Sequence, residues 1–85
     1  MIEFSYTVRD ETGLHARPAG RLAALAKDFK SEILIKKGDK EVNALRLMML
    51  MSLGIKKGDS VSVRVTGEDE KEAAEKLKDF FEETL

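Results

Sequence analysis

An α+β two-layer sandwich is the fold class that this sequence predicts, and three observations carry the prediction. Apolar and polar residues alternate through Ile2–Val8 and again through Ser60–Thr66, the mark of strands with one buried face. Apolar residues recur every three or four positions from Ala19 to Phe29 and from Ala73 to Phe81, the mark of helices with one buried stripe. The units succeed one another as β-α-β-β-α-β-α, an order that suits helices laid on a mainly antiparallel sheet.

Each element has local grounds. Ile2, Phe4, Tyr6 and Val8 alternate with Glu3, Ser5, Thr7 and Arg9 in the first strand, and Asp10–Gly13 is a loop. A helix runs from about Ala16 to Lys27, with Pro18 in its first turn, where the missing N–H has no intrahelical acceptor to lose. Ile33-Leu34-Ile35 is short and rich in β-branched residues, a second strand. Lys37-Gly38-Asp39-Lys40 turns the chain, and Glu41-Val42-Asn43 closes a hairpin. Ala44–Leu53 is an apolar run too short for periodicity to classify. Its Leu and Met content and the following Gly54 favour a helix with a glycine C-cap. So short a helix on a small domain leaves one side exposed. Lys57-Gly58-Asp59 turns into a fourth strand that buries Val61, Val63 and Val65. Asp69 and Glu72 resemble a capping box, with Asp in place of Ser or Thr, for a last helix that buries Ala73, Ala74, Leu77, Phe80 and Phe81. Lys36-Lys37 and Lys56-Lys57 read as solvated turn flanks. Pattern alone does not fix the strand order.

Composition narrows the function classes. A chain of 85 residues forms one domain, 1–85, and is too small for a deep two-lobed active site, so its chemistry belongs at the surface. A net charge of −1 supplies no basic field for nucleic acid. With 42% hydrophobic residues the chain can pack a core. The absence of Cys excludes disulfides and thiolate metal sites. No apolar run approaches the roughly 20 residues that span a bilayer, and no basic segment precedes an apolar one at Met1-Ile2-Glu3-Phe4. The expectation is a soluble cytoplasmic protein without membrane insertion.

The chemistry concentrates in Gly13-Leu14-His15-Ala16-Arg17-Pro18-Ala19-Gly20, which holds the only His and the only Pro. A helix starting at His15 or Ala16 sets an imidazole beside the free amides of Ala16 and Arg17 and next to a guanidinium. Unpaired amides, the positive end of the macrodipole and an Arg form an anion site. The same positive end favours the neutral, nucleophilic imidazole. A nucleophilic nitrogen inside an anion site points to a histidine that is itself phosphorylated, since phosphoryl transfer needs mainly positioning and charge stabilisation.

Thr12-Gly13-Leu14-His15-Ala16-Arg17-Pro18-Ala19 resembles the active-site signature of HPr, the histidine-containing phosphocarrier family of the bacterial sugar phosphotransferase system. Val42–Ile55 resembles that family's second helix and its exit, and the resemblance runs the length of the chain. It implies an open-faced sandwich with sheet order 1-4-2-3 and three helices on one side. It implies phosphorylation at Nδ1 of His15, Enzyme I charged by phosphoenolpyruvate as donor, and IIA domains of sugar permeases as acceptors. Arg17, Thr12, Ala16 and Gly54 would surround the phosphoryl group. Partners would dock across Gly20 and Arg21 on the first helix and Arg46, Leu47, Met48 and Met51 on the second; Met49 would extend the patch. The protein would be a monomeric carrier with no metal or cofactor, not an enzyme. One departure stands out: many Gram-positive relatives carry a regulatory serine where this chain has Arg46. The alternatives are an HPr-like regulatory or nitrogen-branch carrier without that serine and, more weakly, an enzyme using His15 as a general base.

Overall fold

A computed structural model describes residues 1–85. In chain order it comprises β1 (Ile2–Thr7), α1 (Ala16–Ala26), β2 (Glu32–Lys37), β3 (Lys40–Asn43), α2 (Leu47–Ser52), β4 (Ser60–Thr66) and α3 (Glu70–Thr84). The strands form one antiparallel sheet in the order β1-β4-β2-β3.

Register explains how one face of the sheet comes to be covered. Phe4 lies opposite Val63, Val63 opposite Ile35, and Ile35 opposite Val42, an apolar row spanning all four strands. The neighbouring row, Glu3, Arg64, Leu34 and Asn43, points the other way, because side chains alternate faces along each strand. All three helices pack on the apolar side. Helix α3 covers β1 and β4, α2 lies on β3, and α1 packs against both other helices. Phe81 is fully buried at the centre, with ring centroids of Phe4, Tyr6 and Phe80 at 6.2, 5.5 and 5.9 Å. The opposite face is open to solvent. There the Arg64 guanidinium bridges Glu3 at 3.3 Å and Glu41 at 3.7 Å.

Two expectations are corrected. The second helix spans Leu47–Ser52, not Ala44–Leu53. Asn43 Oδ1 accepts the amide of Leu45 at 2.9 Å, and the amide of buried Ala44 donates to the Ile33 carbonyl at 2.9 Å. An Asn side chain that captures a nearby amide competes with helix and favours a turn, so the helix is delayed by three residues. Nor do Asp69 and Glu72 form a capping box. The Asp69 carboxylate accepts the amides of Lys30 and Ser31, at 2.8 and 2.9 Å, and the Ser31 hydroxyl. Those donors belong to the α1–β2 connection, which passes the start of α3. Glu70 takes the amide of Gly67 instead, at 3.1 Å. Asp69 is held below the ordinary carboxylate range, first by the Ser31 hydroxyl and then by the Lys30 amide.

Helix α2 is the least covered of the three helices. Only Leu50 is buried, whereas Met48 is 76% exposed. Leu50→Ala is therefore expected to destabilise the domain by about 2–5 kcal/mol, and Met48→Ala by no more than about 0.5 kcal/mol. Urea denaturation of both variants checks this contrast.

Candidate functional site

His15 is the N-cap of α1, with extended backbone and no hydrogen bond from its side chain to the helix. Its carbonyl accepts the amide of Ala19 at 2.9 Å, the first bond of the helix, and its own amide donates to the Gly13 carbonyl at 3.1 Å. Pro18, the third helical residue, has no N–H to offer. The first turn therefore leaves two amides without a protein acceptor, those of Ala16 and Arg17, directly after the exposed imidazole. The Arg17 guanidinium is exposed and pairs with no carboxylate. His15, the two free amides and Arg17 thus follow one another at one helix start.

Two loops hold this start in place. Gly13 has φ +65°, and a Cβ there would overlap the Ile55 carbonyl oxygen and come within 2.8 Å of Lys56 Cα. The next amide, Leu14, donates to that Ile55 carbonyl at 3.1 Å. Gly54, φ +60°, ends α2 in the left-handed conformation that favours glycine just past a helix. It adjoins Ile55, so the end of α2 and the start of α1 meet at the Gly13–Ile55 contact.

Thr12 is occupied differently from the expectation. Its hydroxyl donates to Asp10 Oδ2 at 2.6 Å and its amide to the same oxygen at 3.1 Å. An arriving anion would have to exchange that hydroxyl bond. Asp10, read from the sequence only as loop, is the residue that holds Thr12 in place. The signal was present in Asp10-Glu11-Thr12, since an Asp that binds the amide two residues on forms an Asx turn. Its carboxyl lies below the ordinary range, chiefly because of the Thr12 hydroxyl, then the amides of Thr12 and Gly13, with a last contribution from the charge of His15.

The second helix presents Leu47, Met48, Met49 and Met51 to solvent, and Leu45 extends the patch before it. Arg46 caps this helix, exposed and without an acidic partner. Gly20 has open space where a Cβ would project. Arg21 departs from the expected arrangement: its guanidinium lies 5.6 Å from the Phe80 ring centroid, so it faces α3 and not α2. Lys37 is no solvated turn flank either. Its Nζ donates to the Gly54 carbonyl at 2.8 Å and pairs with Asp59 at 2.9 Å. No helix is long and apolar enough to cross a membrane.

The Asp10 bond gives a pH prediction. A carboxyl whose folded pKa is depressed contributes stability above its unfolded value, about 4, and that stability is lost as pH falls through the folded value. Thr12→Val removes the main cause of the depression. It is expected to lower the denaturation midpoint at pH 7 and to cost progressively less as pH drops below about 4. Paired urea titrations at pH 7 and in acid check the sign.

Comparison with known proteins agrees with this geometry. A family model described as the PTS HPr component phosphorylation site matches residues 2–83. The HPr-like protein Crh of Bacillus subtilis is 42% identical over 85 residues, covering all of both chains. An HPr from Thermoanaerobacter tengcongensis superposes with a TM-score of 0.91 at 41% identity, over 96% of this chain and 92% of that one. A crystal structure of B. subtilis Crh, described as a swapped, intertwined dimer, matches with a TM-score of 0.78 at 41% identity, over 100% of this chain and 98% of that one. With His15, Arg17 and Pro18 at the start of α1, and the sheet order that this family implies, the chain belongs to the HPr family of phosphocarrier proteins.

Proposed function

We propose that this protein accepts a phosphoryl group on Nδ1 of His15 from Enzyme I charged by phosphoenolpyruvate and passes it to IIA domains of sugar permeases. One observation carries the reading: an imidazole free of internal hydrogen bonds stands beside two amides that have no acceptor. In the forward step the Nδ1 lone pair forms the bond to phosphorus and the bond from phosphorus to the donor breaks. The group arrives with close to two negative charges, which the amides of Ala16 and Arg17 and the Arg17 guanidinium stabilise. The Gly54 backbone lines the same site, and Thr12 orders the approach loop through Asp10. The reverse of the same displacement, onto the acceptor's nucleophile, unloads the carrier. Each cycle returns the protein unchanged, so it acts as a carrier and needs no metal or cofactor of its own.

Partners dock over the exposed Leu47, Met48 and Met51, with Met49 at the margin and Gly20 allowing close approach to α1. Thioether side chains adapt to several partner shapes, and the free guanidinium of Arg46 steers acidic faces. Arg21 serves this surface from its flank, over Phe80. Each strand of this chain pairs with a neighbour from the same chain, as a monomer requires; the intertwined Crh dimer makes sedimentation equilibrium the deciding measurement.

A second reading, a regulatory or nitrogen-branch carrier, draws on the 42% identity to Crh. Arg46 argues against regulation through a serine at that position. Treatment with ATP and an HPr kinase, followed by mass spectrometry, is expected to yield no phosphoserine. A stoichiometric phosphoserine at Ser52, whose hydroxyl donates to the Met49 carbonyl at 2.6 Å, would favour the regulatory reading.

Incubation with Enzyme I and labelled phosphoenolpyruvate is expected to leave acid-labile phosphate on the native protein and none on a folded His15→Ala variant. Arg17→Ala is expected to slow transfer about tenfold to a hundredfold, in line with a charge-assisted hydrogen bond of about 1.5–3 kcal/mol. Label on His15→Ala at the native level would reject the assignment. Met48→Asp is expected to weaken binding to Enzyme I and to IIA domains together while circular dichroism stays native. Unchanged affinity would remove α2 from the docking surface.

A further inference from the structure

We propose that Lys37 is a positioning residue for phosphoryl transfer: by gripping Gly54 and Asp59 it fixes the backbone against which the Leu14–His15 segment is seated. The inference rests on the carrier reading of His15.

Lys37 ends β2, on the hairpin at the far edge of the sheet from β1. Its side chain is only 32% exposed and reaches two acceptors at once, the Gly54 carbonyl at 2.8 Å and Asp59 Oδ2 at 2.9 Å. The first is a carbonyl just beyond the C-terminus of α2, where a cation is favoured by the negative end of the helix. The second is already committed to its own turn: Asp59 Oδ2 accepts the Lys56 amide at 2.8 Å, and the Asp59 amide donates to the Lys56 carbonyl at 2.9 Å. Lys37 thus holds both ends of the 54–59 segment and ties them to the hairpin. Asp59 is held below the ordinary carboxylate range, first by Lys37 and then by the Lys56 amide.

What the segment does next gives Lys37 its consequence. Between the two gripped points stands the Ile55 carbonyl, which receives the Leu14 amide at 3.1 Å and presses on Gly13. At its far end the Asp59 carbonyl receives the Val8 amide at 2.9 Å, and the Gly58 amide donates to Val8 at 2.8 Å. The approach to His15 is therefore bonded at both ends to a segment whose only side-chain hydrogen bond or ion pair to the hairpin is that of Lys37. The neighbouring lysines do not share this role. Lys57 meets Glu11 only at 3.3 Å, with both side chains largely in solvent, and Lys36 and Lys56 pair with no carboxylate. Transfer rates respond steeply to small displacements of a reacting group, about a hundredfold for one ångström. Loosening this seat is expected to slow transfer without altering the docking face.

The test compares native protein, Lys37→Met and Lys37→Arg, all at a temperature where melting curves show each variant folded. Rapid-quench measurements read the rate of transfer from phosphorylated Enzyme I, and titration reads affinity for unphosphorylated Enzyme I. Lys37→Met is expected to transfer about tenfold more slowly with unchanged affinity, and Lys37→Arg to recover most of the rate, because the guanidinium can meet both acceptors. If Lys37→Met does not fold, Asp59→Asn, which keeps an oxygen for the Lys56 amide, is expected to give the same split. Transfer at the native rate in the folded variant overturns the proposal. So does slowing matched by an equal loss of affinity, which would make Lys37 a docking residue. Absence of label on the native protein is a different failure: it rejects the carrier reading and the proposal with it.

Discussion

The position of His15 depends on one close approach between two loops. At Gly13 the chain comes so near the Ile55 carbonyl that no side chain fits, and the next amide bonds to that same oxygen. A left-handed backbone and a missing Cβ are both required there, and only glycine supplies both without strain. From this contact the rest of the site follows. The start of α1 is set beside the end of α2, so that a helix opening with free donors and a short apolar helix share one stretch of surface. Neither helix alone would make a site; α2 in particular is too short to be stable without the sheet beneath Leu50.

Much of this was legible in the sequence, for reasons that differ by element. The strands and the long helices announce themselves through period, since a buried face forces apolar residues to repeat at the spacing of the backbone. The start of α1 with its free amides was legible because its parts are adjacent in the chain: His15, two amides, Arg17 and a proline that marks the turn. The sheet order was not contained in any local pattern and came through family resemblance. The delayed start of α2 turns on which amide Asn43 captures, and composition does not record that choice. The spacing of Asp69 and Glu72 suited a capping box, but the α1–β2 connection brought donors from distant sequence that the local pattern could not anticipate. Lys37 and Asp59 were obscure for the same reason. Each sits in a turn where lysine and aspartate are ordinary, and only the tertiary fold brings them to 2.9 Å.

The two faces of the sheet divide the labour. The helix side uses its apolar surface for cohesion and leaves the apolar side chains of α2 exposed at its rim. The open side carries the Glu3, Arg64 and Glu41 ladder, modest in stability because these groups are partly in water, yet well placed to deter stacking of one sheet on another. A domain of this size could not cover both faces with its own chain.

Pro18 has a consequence for how firmly cargo can be held. A helix start with three amides in its opening turn could satisfy all three terminal oxygens of a phosphoryl group and enclose it. Here proline withdraws one donor, and the backbone offers two. The remaining oxygen would be left to the exposed guanidinium of Arg17 or to whatever the incoming molecule brings. Under the proposed carrier role so incomplete a cradle is an asset for a messenger. The covalent N–P bond would keep the group through the journey between two proteins, and one oxygen would be left by which the recipient can take hold before the sender lets go.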